Sequence, residues 1–161
     1  MTAASRHDES GQGGIEALPL GLLVFVVGAL LIANAWAVID AKLAASSAAR
    51  EATRTYVEAP GSLSSDEAFL AARSAAEAAF AAQRGSSRRP ELRLVSGDGG
   101  ARERCMRVTA EATYRVPAVT VPWVGGFGRG FTVRARHSEI VDPFRSGLSG
   151  AATCVTGGNE P

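Results

Sequence analysis

The sequence predicts an α+β protein with a long N-terminal transmembrane helix that extends out of the membrane, a second amphipathic helix, and a small antiparallel sheet. Three observations lead there. Residues 17–39 read ALPLGLLVFVVGALLIANAWAVI, 23 residues without a formal charge. Ser64 and Glu67 stand at capping-box spacing ahead of an apolar stripe of helical period. From Met106 to Val116 apolar and polar side chains alternate strictly, the signature of a half-buried strand.

The first element is set by length and polarity. At 1.5 Å per residue the apolar run covers roughly 34 Å, about the thickness of a bilayer's hydrocarbon core. Asn34 is its one strongly polar residue. A secretory signal peptide is the rival reading, and Ala33-Asn34-Ala35 has the small residues of a cleavage site. Against it, the run is longer than a signal core, and Met1 to Gly14 offers Arg6 against Asp8 and Glu9 in place of a basic leader. A fully buried core helix is the other rival, but too few residues remain to surround it.

The rest follows in chain order. Residues 1–14 are polar and glycine-bearing, too short to fold alone. Glu16 falls at the N-terminal edge of the helix, where unpaired backbone N–H groups favour a carboxylate. Pro19 is placed near the first turn, where its missing N–H costs little. Ala29, Ala33, Ala37, Ala41, Ala45 and Ala49 recur every four residues. That spacing permits close helix–helix approach in a membrane, although an alanine-rich helix former produces it too. The helix is expected to run on to Glu58, a total of roughly 68 Å, with Arg50, Glu51, Arg54 and Glu58 on a solvated surface, and to stop at Ala59-Pro60-Gly61.

The domain from 62 to 145 is predicted to be exported. Phe69, Ala72, Ala76 and Phe80 give its helix an apolar stripe, and Gln83-Arg84-Gly85 ends it. Residues 91–95 form a first strand and 96–100 a turn. Residues 106–116 form the clearest strand, with Cys105 on its polar parity. Pro117 and Pro122 interrupt the pattern, 125–130 read as a loop, and Phe131, Val133 and Ala135 alternate with Thr132, Arg134 and Arg136 in a last strand. Residues 146–161 are a Gly/Ser-rich tail. Cys105 and Cys154 form an even pair beyond the membrane segment, which suits a disulfide in an oxidising compartment. Closing about 50 residues is worth about 4 kcal/mol in the chain-entropy picture.

Composition excludes little but leaves few chemistries. The net charge is +1 and predicts no particular partner. The glycines at 125–130 lack the Lys-Ser/Thr of a phosphate loop. His7 and His137 lie on opposite sides of the anchor and assemble no metal cluster with the cysteines. His137, Ser138 and Asp142 have the residue types of a hydrolase triad without the spacing of a relay. No catalytic residue and no cofactor is expected. Arg104, Arg107, Arg134 and Arg136 could touch DNA, but alternating arginines on a wet sheet face are the duller reading, so nucleic acid is an unfavoured partner.

The stretch Glu9-Ser10-Gly11-Gln12-Gly13-Gly14-Ile15-Glu16-Ala17-Leu18, followed by the hydrophobic run, resembles the TadE-like family, the pseudopilins of the tight-adherence (Flp) pilus system, in its short actinobacterial form. The closing strand that ends in Glu-Ile-Val-Asp-Pro-Phe-Arg at 139–145 is similar to that of such proteins. The resemblance implies a pilin-like fold and a prepilin peptidase that cuts after Gly11, making Gln12 the first residue and Glu16 the fifth. The family's usual aromatic after the glutamate is absent, since Ala17 stands there. It implies that Glu16 meets the N-terminus of a neighbouring subunit in lipid. The implied partners are that peptidase, other pilin and pseudopilin subunits, the bilayer and an inner-membrane pilus platform. Two other readings stay open: a single-pass envelope protein presenting a small extracytoplasmic binding domain, and a minor pilus subunit contacting DNA.

Overall fold

The computed structural model describes residues 13–85, 88–96, 101–118, 120–121, 125–126 and 129–154. It has an α+β fold: helix α1 (Gly13–Glu58), helix α2 (Ser65–Arg84) and strands β1 (Glu91–Ser96), β2 (Arg107–Val116), β3 (Thr120–Val121), β4 (Gly125–Gly126) and β5 (Phe131–Ile140). The chain divides into two units, Met1–Trp36 and Ala37–Pro161.

The first unit contains the apolar part of α1. Its large side chains have no protein to pack on: Phe25 is 72% and Trp36 71% exposed, and Leu18, Leu22, Leu23, Leu31 and Ile32 are exposed with them. Among the described residues α1 is the one helix long and apolar enough to cross a membrane. Pro19 lies inside this helix, whose backbone begins at Gly13. Its ring removes one bond of the helical ladder. Asn34 donates from Nδ2 to the Leu30 carbonyl at 3.2 Å, which satisfies a polar group on its own helix.

The second unit is a two-layer head. The outgoing half of α1 and the returning α2 form a helical pair against one face of a sheet of order β1-β2-β5, antiparallel throughout. Ser64 caps α2 as expected: its Oγ accepts from the Glu67 amide at 3.2 Å, and its own amide donates to Glu67 Oε2 at 2.8 Å. Gly85, at φ +82°, ends the helix by donating to the Ala81 carbonyl. The buried stripe of α2 is Ala68, Ala72, Ala76 and Phe80. Phe69, assigned to it from sequence, is only half-buried, because Ala68 keeps the strict four-residue spacing and takes the inward position.

The core is built from alanine. Ala41, Ala44, Ala45, Ala48, Ala49 and Ala52 of α1 are fully buried against Ala76 and Phe80 of α2 and Ala110, Ala112, Val116, Val133 and Ala135 of the sheet. Small side chains here let backbones approach closely, and Phe80, tilted on Tyr114 with ring centroids 4.9 Å apart, fills the remaining volume. A second cluster at the far end joins Tyr56, Val57 and Ala59 to Ala68, Ala72, Val108 and Val141.

Phe131 opens β5 on the same parity as the buried Val133 and Ala135, yet it is 55% exposed. Two strand details differ from the sequence reading. Cys105 and Met106 precede β2 instead of opening it, and Cys105 has φ +62°. Gly125–Gly126, read as loop, pairs antiparallel with Thr120–Val121. At Gly130 (φ +81°) a side chain would strike the Val116 carbonyl, so this return into β5 requires glycine.

Candidate functional site

The residues singled out from sequence fall into three groups. Gly11 and Gln12 lie outside the described residues, as does the side chain of Glu16, whose backbone belongs to α1. The alanine series divides. Ala29 and Ala33 are exposed in the apolar unit and Ala37 is half-buried. Ala41, Ala45 and Ala49 are spent inside the molecule's own core, where α2 and the sheet already occupy them. A partner helix can therefore meet the first members of the series but not the last three.

Cys105 and Cys154 are joined by a disulfide across 49 positions. The bond ties the segment after β5 to the entry of β2, and backbone bonds run beside it. The Arg104 amide donates to the Ser149 carbonyl at 2.8 Å and the Cys105 amide to the Val141 carbonyl at 2.9 Å. The same segment closes on the α1–α2 connection. A side chain at Gly61 would lie 2.6 Å from the Ser146 carbonyl oxygen. Residues 146–154 are thus tied to the head by the disulfide, and the second compact unit begins at Ala37 within α1.

Two arginines that sequence reasoning did not single out hold the helical pair at its ends. Arg102, 4% exposed, donates to the carbonyls of Tyr56, Pro60 and Leu63 and lies over the Tyr56 ring at 5.9 Å. One of these carbonyls belongs to the last turn of α1 and two to the connection that follows it, so Arg102 ties the end of the helix to its turn. Burial lowers its pKa below the ordinary arginine value, and Arg145 adds to the lowering while Tyr56 opposes it. At the other end Arg84 donates to Asp40 Oδ2 at 2.7 Å and to the Ala37 carbonyl at 3.3 Å, over the Tyr114 ring at 5.6 Å. Gln83 Nε2 donates to Ser47 Oγ at 2.9 Å beside it. The available signal was a basic residue in the last turn of α2 and a lone acid just beyond the apolar run of α1.

The outer face of the sheet is polar and uncovered by helix. Glu111 sits at its centre, flanked by Arg93 on β1 and Arg136 on β5 in register. Arg136 Nε donates to Glu111 Oε2, and Arg134 lies 4.0 Å from Oε1. The Arg136 hydrogen bond is the main cause that holds the Glu111 carboxyl below its ordinary pKa. Arg104 Nε donates to the Arg145 carbonyl at 2.9 Å. Of the four arginines considered for DNA, Arg134 and Arg136 are thus countered by Glu111, and Arg104 is turned to the backbone. His137 Nε2 lies 3.0 Å from Glu139 Oε1. Among the described residues no group of His, Cys, Asp or Glu could hold a metal ion.

The arrangement is therefore an exposed apolar helix, continuous in sequence with the core helix of a disulfide-closed head. Comparison with protein-family models, with curated proteins and with solved structures found no match.

Proposed function

We propose that the chain is a TadE-like pseudopilin that supports assembly of a Flp-type pilus or its associated secretion machinery. Residues 17–39 cross the cytoplasmic membrane once, the N-terminus is cytoplasmic and the head is extracytoplasmic. The observation that carries this reading is the double use of α1. Its first half is apolar on all sides and exposed, and its second half is the central helix of the head. In water such an apolar surface would far exceed what a soluble monomer leaves uncovered. In lipid it needs no protein partner. The Cys105–Cys154 disulfide supports an oxidising compartment for the head.

The assembly step follows from the resemblance at 9–18. A prepilin peptidase cuts after Gly11, and Glu16, fifth in the mature chain, pairs with the new amino group of a neighbouring subunit. In the low dielectric of lipid such a pair acts far more strongly than at a wet surface, and an unpaired carboxylate there is costly. Ala29 and Ala33 remain exposed on the same helix for close approach by another pilin helix.

Two measurements test this. Intact-mass and N-terminal analysis of the membrane-purified protein is expected to show Gln12 as the first residue; a retained leader removes the processing step. Glu16→Ala is expected to abolish pilus assembly while leaving the protein in the membrane at its normal level. Undiminished assembly by that variant would favour an envelope protein that merely presents its head.

A further inference from the structure

The end of the head at which α1 enters is ringed by cations, and this ring has a position fixed by covalent continuity. The apolar run ends at Ile39 and Asp40 follows it. Arg84 is bound to Asp40 and to the Ala37 carbonyl. Lys42 Nζ donates to the carbonyl of Arg134, which places this part of β5 level with the same turn of α1. From Arg134, β5 runs one way toward Ile140 and the Tyr56 cluster, and the other way toward Phe131 and Arg129, at the entry end. Arg115, at the end of β2, reaches across and donates to the Arg129 carbonyl at 2.8 Å. Arg88 follows α2 at the same end, one hydrogen bond from Gly85.

Lys42, Arg88, Arg115, Arg129 and Arg134 are all exposed, and Phe131 stands exposed among them. The acids near this end are Asp40, already engaged by Arg84, Glu91, and Glu111, which lies 4.0 Å from Arg134 and pairs chiefly with Arg136, so Lys42, Arg88, Arg115 and Arg129 are the rim's cations without an acidic partner among the described residues. The opposite end is nearly balanced: Glu58, Asp66, Glu67, Glu103 and Asp142 accompany Arg54, Arg102, Arg104 and Arg145 there. The charge of the head is thus polarised along α1.

We propose that this rim is a docking surface for anionic phospholipid headgroups, against which the head rests. The proposal rests on the reading of residues 17–39 as a membrane span. Given that span, Asp40 and Lys42 stand at the boundary, and the headgroup layer is the surface that the rim must meet. The charge then selects the lipid. Long arginine and lysine side chains lay their stems on apolar surface and direct their heads to phosphate, and an exposed aromatic suits the same interface. A basic juxtamembrane cluster is attracted by an anionic leaflet only within a Debye length, so the attraction is short-ranged and sensitive to salt.

The test uses the full chain in nanodiscs of phosphatidylcholine alone and of equal parts phosphatidylcholine and phosphatidylglycerol. Amide hydrogen exchange is read for the peptide spanning 129–136. Exchange is expected to be at least about threefold slower in the anionic discs, and 0.5 M NaCl, where the screening length is about 4 Å, is expected to cancel the difference. The combined variant Lys42→Gln, Arg115→Gln, Arg129→Gln is expected to exchange equally in both lipids, whereas Arg73→Gln with Arg107→Gln is expected to behave as wild type. The wild-type comparison between the two lipids needs no variant to fold. Equal exchange in both compositions with the protein still disc-bound would overturn the docking and leave the span standing. A difference that survives in the combined variant would overturn the assignment to this rim. A chain that elutes free of the discs would overturn the span, and the docking with it.

Discussion

Arg102 and Glu111 illustrate what single side chains contribute to the head. Among the described residues Arg102 has no carboxylate partner, and it is kept buried by three carbonyls at the end of α1 and its turn. Arg102→Met keeps the length and removes the donors; the Tyr56 and Pro60 carbonyls keep a backbone partner each, and that of Leu63 loses its side-chain donor. The expected loss is about 2–3 kcal/mol, the range for hydrogen bonds to a charged group, read by urea unfolding of the full chain in detergent. Glu111 behaves differently because it titrates. Its folded pKa lies below the ordinary value of 4.5, chiefly through Arg136. Its contribution is therefore complete above the unfolded pKa and is lost as pH falls through the folded one. Glu67 has the same direction, set by its hydrogen bonds to the backbone and side chain of Ser64. Stability measured from pH 7 downward is expected to decline from about pH 4.5, and Glu111→Gln is expected to flatten that decline. An unchanged slope in the variant would mean that the Arg136 pair is absent in solution.

At the scale of elements, the alanines of α1 have two fates along one helix. Ala45 is fully buried against α2 and the sheet, whereas Ala29 is exposed. Ala45→Leu overfills the core and is expected to cost about 1–3 kcal/mol. Ala29→Leu is expected to leave the unfolding of the head unchanged and to act, if at all, on association in the membrane. Phe80→Ala opens a cavity at the centre of the same core, with an expected loss of about 3–5 kcal/mol. This division was not legible in the sequence, since a four-residue alanine period looks the same whether the neighbour is α2 or another subunit. What was legible is local. The Ser64–Glu67 box spans three residues, and the alternation of β2 reports its two faces directly, as the buried Val108, Ala110, Ala112 and Val116 show. Arg102 was missed because its partners lie 39 to 46 positions away.

For the whole molecule, the two halves of α1 differ in surroundings. The head has a core, a disulfide and charge pairs, while the apolar segment leaves its large side chains exposed, which is costly in water and costs nothing in lipid. Joining positions 49 apart, the disulfide is expected to contribute about 4 kcal/mol by the chain-entropy account, seen as an earlier unfolding midpoint under reducing conditions. The proposed processing site at Gly11 and Gln12 rests on the resemblance alone, because a short motif read by a peptidase leaves no mark on the packing of a chain. Everything proposed about assembly presupposes that α1 is integral to a bilayer. Alkaline carbonate extraction of membranes from cells making the full chain tests this most directly: the protein is expected to stay with the sedimented lipid and to leave it only with detergent, and its release into the carbonate supernatant would contradict the account.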